Sequence, residues 1–201
     1  MIKTETNKKI LQGQQTRNAI IDAASQCYAE KGYGACSMDT IAQAAQLSKG
    51  GLYAHFKSKE ELFTIVINRV HDKAIERARI VLQEPPYLDG LIWYFKECIL
   101  NAGFPMDHRL WVEVLAVASR DPAMKRIFVE SERRSRNLTK ELLLKCAENK
   151  EINPDLDIET MSIILFALGD GLIARIADDP DFDFERQFPV IENTIRTILK
   201  K

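Results

Sequence analysis

At 201 residues and 46% hydrophobic content, the chain can bury one large core, or a small head set on a larger body. Its formal net charge of -1 is unevenly spread: residues 1–60 carry eight Lys and Arg against five Asp and Glu, the remainder 20 against 24, a mild footprint for a polyanion at the N-terminal end only, for which a solvated basic face is by itself the commoner explanation. Four scattered cysteines without a C-x-x-C, three histidines that form no cluster with them, a polar start and no apolar run of roughly 18 residues argue against structural zinc, export and a membrane span, and for a reducing cytoplasm.

The first fifteen residues, MIKTETNKKILQGQQ, are polar and are expected to form an N-terminal arm. From Thr16, TRNAIIDAASQCYAEKGYG sets Ile20, Ala23, Ala24, Cys27 and Tyr28 at helical spacing, and Gly32 marks the stop. Ser37 can cap a helix of about two turns over SMDTIAQAA, with Asp39 well placed against the dipole and Ile41, Ala42 and Ala45 facing inward. The chain restarts at Ser48 as SKGG. Ser58-Lys59-Glu60-Glu61 reads as a capping box that opens a long fourth helix, whose stripe from Leu62 and Phe63 through Val66, Val70, Ala74 and Ala78 to Val81 ends before Pro85-Pro86. His71-Asp72 on this helix has no nucleophile beside it and is read as solvated surface.

Beyond Pro86 the punctuation stays helical. Asp89 is expected to cap LIWYFKECILNA, Gly103 and Pro105 precede MDHRLWVEVLAVAS, and Asp121-Pro122 opens a helix that runs to about Asn149. The stripe of that helix is interrupted by Ser131 and Ser135. Residues Ile158 to Ala177 are apolar almost all round, which in a helix means burial on more than one side, and Phe184, Phe188, Ile191, Ile195, Ile198 and Leu199 mark a last amphipathic helix. The expected fold is all-α: a three-helix head over residues 16–60 joined by the fourth helix to a helical body over 61–201.

Two short helices linked by Gln46-Leu47, the second beginning SKGG, form a helix-turn-helix, a unit that lays its second helix in a DNA major groove. Leu52 and Phe56 would hold that helix to the core, leaving Lys49, Gly50 and Tyr53 toward the groove. Adjacent glycines cost helix propensity but let sugar-phosphate approach the backbone. The candidate DNA-contacting set is Ser37, Ser48, Lys49, Gly50, Gly51, Tyr53, His55 and Lys59, with Tyr53, His55 and Lys59 as phosphate donors.

The stretch CSMDTIAQAAQLSKGGLYAHFKSKEELF resembles the DNA-binding head of TetR-type (tetracycline-repressor-like) transcriptional regulators, over about residues 16–64 and including Ala23-Ala24, Gly32-Tyr33, Ile41-Ala42, Leu52-Tyr53 and His55-Phe56. The resemblance implies an all-α homodimer that binds a palindromic double-stranded operator and is released by a small-molecule effector. Two positions depart from the family pattern. Gln46 stands where a small turn residue, generally Gly, is usual, which predicts a non-glycine residue at φ > 0. Asp39 stands where some relatives present a basic or polar side chain to DNA, and dipole stabilisation is its favoured role here.

In the body, the resemblance implies an effector cavity, for which Trp93, Phe104, His108, Trp111 and Phe166 are candidate lining with Ser131 and Ser135 as polar anchors, a packed core being the alternative for each; such a lining suits a hydrophobic or aromatic compound. Asp170, inside an apolar helix, requires a partner: Arg175, a backbone group, a second subunit or a ligand. The dimer interface is expected from Ile164, Leu168 and Leu172, with Gly169 and Gly171 allowing close approach, and from Ile191 and Ile195. Cys27 and Cys36 are read as inert packing. No P-loop, G-x-S-x-G, Cys-His or metal constellation marks an enzyme, and no cofactor is expected.

Overall fold

The computed structural model describes residues 2–102 and 107–200, residues 2–6 and Lys9 by their backbone alone. Helices, and no strands, make up the regular structure of the described residues.

Helix α1 (Ile2–Ala35) absorbs the expected N-terminal arm: the backbone from Ile2 onward is helical, with Ile10 and Leu11 exposed on it. Once a packed segment has nucleated a helix, each further residue adds a hydrogen bond at little extra entropy, so a Lys- and Gln-rich stretch without proline continues it. Gly32, at φ 78° and ψ 156°, breaks the helical path where the stop is expected, and one more turn runs to Ala35. Helices α2 (Met38–Ala44) and α3 (Lys49–Tyr53) start as anticipated, Ser37 Oγ accepting from Thr40 N–H at 3.0 Å and Ser48 Oγ from Gly51 N–H at 3.1 Å. Gln46 does take φ 57°, which lets Leu47 N–H reach Ala42 O at 2.9 Å and close α2, at a strain of about 1 kcal/mol. The inert-thiol expectation fails for one pair: Cys27 and Cys36 are joined by a disulfide that links the end of α1 to the residue before the α2 cap. They stand nine positions apart along the chain, but the Gly32 kink folds that segment back.

Helix α4 (Lys59–Val81) opens at Ser58, whose Oγ accepts from Glu61 N–H at 3.1 Å; Glu61 Oε2 in return accepts from Lys57 N–H at 2.7 Å, one residue outside the expected box. Helix α5 (Tyr87–Leu100) begins ahead of Asp89 and has no local side-chain cap. Its free N–H groups on Tyr87 and Leu88 donate instead to the carboxylate of Glu151, and Asp89 accepts from Arg196 Nη2 at 2.7 Å. Helices α6 (His108–Arg120), α7 (Pro122–Glu148) and α8 (Ile158–Asp178) are capped by Asp107, Asp121 and Asp157, each such cap contributing about 1 kcal/mol. Helix α9 (Phe184–Lys200) completes the body.

Two apolar cores result. The head core collects Ile20, Ala24 and Tyr28 of α1, Ile41, Leu52, Phe56 and the first turns of α4 at Leu62, Phe63, Val66 and Ile67. It also takes Leu110 and Val114 from α6 and Met124 from α7, so two helices from beyond residue 100 complete the head. The body core begins at Ala78 on the same α4 and gathers Leu91, Phe95, Ile99, Trp111, Leu142, Leu165 and Ile195. Each large apolar side chain so buried contributes roughly 1.5–3 kcal/mol. One helix therefore belongs to both cores: α4 carries its first half in the head and its second half in the body.

Candidate nucleic-acid interface and body cavity

Three short-range decisions shape the head surface. Leu52 and Phe56 are fully buried and pin α3, leaving Tyr53 43% exposed and Lys49 and Gly50 on the open side. The two glycines differ. A Cβ at Gly50 would meet nothing within 4 Å, so the free protein has no steric need of glycine there, whereas at Gly51 it would lie 3.3 Å from Ser48 Oγ and crowd the cap. Lys49 Nζ pairs with Asp39 at 3.0 Å, a contact that raises the lysine pKa and bridges α2 to α3 across the turn. Asp39 thus sits in the first turn of α2 as expected and also orients a cation on the exposed face.

Lys59, expected to donate to phosphate, is engaged within the head in the free protein. Its Nζ donates to Tyr33 O at 2.6 Å and lies 4.1 Å from the Tyr33 ring centroid, and burial lowers its pKa. It ties the start of α4 to the end of α1, inside the head. The half-buried His55 contributes its carbonyl to Arg17 Nη1 at 3.2 Å, while the Arg17 guanidinium covers Phe56 at 4.4 Å. Tyr33 N–H in turn donates to Glu113 Oε1 of α6, a hydrogen bond from the head to a body helix.

The body holds a cavity of about 100 Å³ among α4, α5, α6, α7 and α8. Of the expected lining residues, Trp111, Ser135 and Phe166 border it. Trp93 does not: it is 42% exposed, on the outer face of α5. His108 turns its Nε2 to Ile99 O at 2.8 Å and joins α6 to α5. Ser131 is buried away from the cavity and lies 3.3 Å from Arg134 Nη2. Phe104 lies outside the described residues. Asp170 finds its partner in Trp111, whose Nε1 donates to Oδ1 at 3.0 Å; burial first, and the charge of Glu132 after it, raise the carboxyl pKa to about 6.

Several cavity residues were not anticipated, among them Arg77, Tyr94, Thr139 and His71. His71 is 3% exposed, with its ring edge-on to Trp111 at 5.2 Å and to Phe128 at 5.5 Å, so the reading as solvated surface is wrong. The signal was its spacing: His71 follows Ile67 by four and precedes Ile75 by four, so it shares their buried face.

Residues 20–65 match the family described as bacterial regulatory proteins, tetR family, and residues 103–200 match the BetI-type transcriptional repressor C-terminal family. The chain belongs to the TetR family. It is 27% identical over 167 residues to the HTH-type transcriptional regulator UidR of Escherichia coli (strain K12), covering 82% of this chain and 83% of that protein. It is 25% identical over 186 residues to the HTH-type transcriptional repressor AcnR of Corynebacterium diphtheriae, covering 90% and 92%. Salmonella enterica GusR shares the fold at a TM-score of 0.77 and 27% identity, with 92% of this chain and 93% of that one aligned. The protein is thus a helix-turn-helix transcriptional regulator with an all-α body.

On this TetR-family body, α8 is apolar over most of its length, and only a minor part of that apolar surface is buried within the one chain. Its inward residues Met161, Ser162, Leu165 and Ile173 pack in the body, and Ile163 and Ile164 are exposed. Leu168 and Leu172 are half-buried against the body core, Gly169 lies under Phe95, and Gly171 is open. On α9 the outward residues are Val190 at 71% and Ile198 at 41% exposure, while Ile191 is half-buried. Ile195, expected at a subunit interface, is 2% exposed inside the body core and has no surface left to offer a partner.

Proposed function

We propose that this regulator is a homodimeric, cytoplasmic repressor that binds a palindromic double-stranded operator through α2 and α3, and that a small apolar or aromatic effector in the body cavity releases it. Ser37, Ser48, Lys49, Gly50, Gly51, Tyr53 and His55 form the DNA face. The exposed apolar surfaces of α8 and α9, including Ile163, Ile164, Val190 and Ile198, pair with their copies in a four-helix arrangement. No catalysis or cofactor enters this reading.

The observation that carries it is the path of α4. Its first turns complete the head core, and Val70, His71, Ala74 and Arg77 form a wall of the cavity, so a ligand that shifts this wall shifts the head. Helix α6 makes a second link, with Trp111 at the cavity and Glu113 on Tyr33 N–H of the head. Because packed cores rearrange between discrete states rather than bending smoothly, a small change at the cavity alters the spacing of the two heads. FadR of Bacillus subtilis, a neighbour of the same fold at a TM-score of 0.72 and 22% identity, was solved in complex with stearoyl-CoA, which supports ligand binding by bodies of this kind.

The test couples two titrations. A selected operator is titrated with protein in the presence and absence of a compound found by thermal shift, and the compound is titrated with and without operator. A tenfold loss of operator affinity requires about 1.4 kcal/mol of differential binding, and operator must weaken compound binding by the same factor. A compound that occupies the body while both affinities stay unchanged would favour a DNA-binding dimer controlled by a protein partner or by no effector.

A further inference from the structure

The cavity wall is apolar, formed by Leu91, Phe95, Ile99, Leu165, Phe166 and Ile173 among others, and most of its polar groups are already engaged. Tyr94 Oη lies 3.3 Å from Ser135 Oγ, Thr139 Oγ1 donates to Ser135 O at 3.3 Å, and Asp170 accepts from Trp111. His71 is different. Its Nδ1 lies 3.1 Å from Ile67 O, and because a carbonyl only accepts, that nitrogen carries the proton. Nε2 is therefore a lone-pair acceptor, and it is buried without a hydrogen-bond partner. Leaving such a group unsatisfied is costly, and His71 is one of the residues that line the cavity, where a ligand can supply the donor.

Charge on that ligand is disfavoured from both directions. Arg77 and Asp170, of opposite sign, both border the cavity, so neither a cation nor an anion gains from one without facing the other. The same burial that raises the Asp170 pKa, and that lowers the His71 pKa to about 4, penalises any further charge there. In size the cavity, at about 100 Å³, approaches the roughly 150 Å³ of an engineered apolar cavity that holds benzene.

We infer that the cavity selects an uncharged, ring-sized apolar compound bearing a hydroxyl, and that His71 is the residue that reads the hydroxyl, accepting its proton at Nε2 in a hydrogen bond. This rests on the cavity being the effector site. A ring with a hydroxyl fills the apolar wall and completes the unpartnered histidine; a bare ring fills the wall only.

The experiment is calorimetric titration of the full-length protein with phenol, toluene, anisole, benzoate and benzylammonium, and repetition with H71F. Phenol is expected to bind about tenfold more tightly than toluene or anisole, a difference of about 1.4 kcal/mol, and more tightly than either charged ring. In H71F, toluene binding persists and the preference for phenol falls to within about twofold. Equal affinity for phenol and toluene in the unmutated protein, an unchanged preference in H71F, or tighter binding of benzoate or benzylammonium than of phenol would each overturn the inference. Toluene binding without a phenol preference leaves the cavity as a ligand site and removes only the hydroxyl; binding of none of the rings removes the site as well. Should H71F not fold, the nitrogen NMR signal of His71 Nε2 in the unmutated protein decides: it shifts with phenol and not with anisole if Nε2 accepts the hydroxyl, and an equal response to the two overturns the assignment.

Discussion

Trp111 Nε1 donates to Asp170 Oδ1 at 3.0 Å, fastening α6 to α8 across the body cavity. Two residues further along α6, Glu113 accepts from the Tyr33 N–H of the head. A single helix thus holds a cavity residue and a head contact less than one turn apart, alongside the longer path through α4.

The Asp170 carboxyl has a folded pKa of about 6 against an ordinary value of 3.8. Since the folded state holds this proton more tightly, the contribution to stability is fully present below about pH 4 and is lost as pH rises through about 6. D170N, which cannot ionise, should therefore gain on the unmutated protein as pH rises from 4 to 7, by about 1–3 kcal/mol at the upper end. Urea unfolding of both proteins across that range measures it, and a constant difference would contradict the raised carboxyl.

Gly50 and Gly51 should respond differently to alanine. G50A has open space for its methyl group and should stabilise the head by about 0.5–1 kcal/mol through helix propensity, while weakening operator binding by bringing a Cβ against DNA. G51A should lose part of that stability gain by crowding Ser48 Oγ. Thermal melting and operator titration of the same two variants separate the effects; unchanged operator affinity in G50A would place DNA elsewhere.

Lys49 and Lys59 should also separate. K49A removes an exposed cation from the DNA face and should reduce the salt slope of operator binding by about one unit. K59A should leave that slope unchanged and lower head stability by about 1 kcal/mol, because it deletes the hydrogen bond to Tyr33 O and the ring contact. A reduced slope in K59A, measured by operator titration from low to high salt, would restore its phosphate role.

Assembly can be tested where exposure and burial diverge. I164D places a charge on the exposed face of α8 and should give folded monomers with weakened operator binding. I195D buries a charge in the body core and should lower stability by several kcal/mol whatever the oligomeric state. Sedimentation and circular dichroism read the two outcomes, and a dimeric I164D would move the interface off this face.

The Cys27–Cys36 bond closes a short loop across the α1–α2 junction. Reduction should lower head stability by roughly 2–3 kcal/mol, and C27S should show the reduced value in both conditions. Chemical unfolding with and without a thiol reductant checks this; an insensitive unmutated protein would argue that the bond contributes nothing.

What the sequence determined by itself was local and periodic. Ser37, Ser48, Ser58 and Asp121 announce four helix starts because a cap acts within three residues of its helix, and the family resemblance marks Gln46 for a positive φ because a small turn residue, generally Gly, is usual there. The resemblance over residues 16–64 rested on such local positions, and with them the DNA-binding class was legible. Tertiary structure decided what meets each helix face, which a period of 3.6 residues does not encode. Lys59 reaches the end of α1, Glu151 caps α5 from across the body, and Cys36 meets Cys27 over a kink. Phe188 and Ile195 form the inward stripe of α9 and Val190 and Ile198 lie outside it; Trp93 sits outside and His71 inside for the same reason. An apolar or polar label reports what a side chain can do in water, while its role here follows from which neighbour removes that water, and the helical period does not name that neighbour.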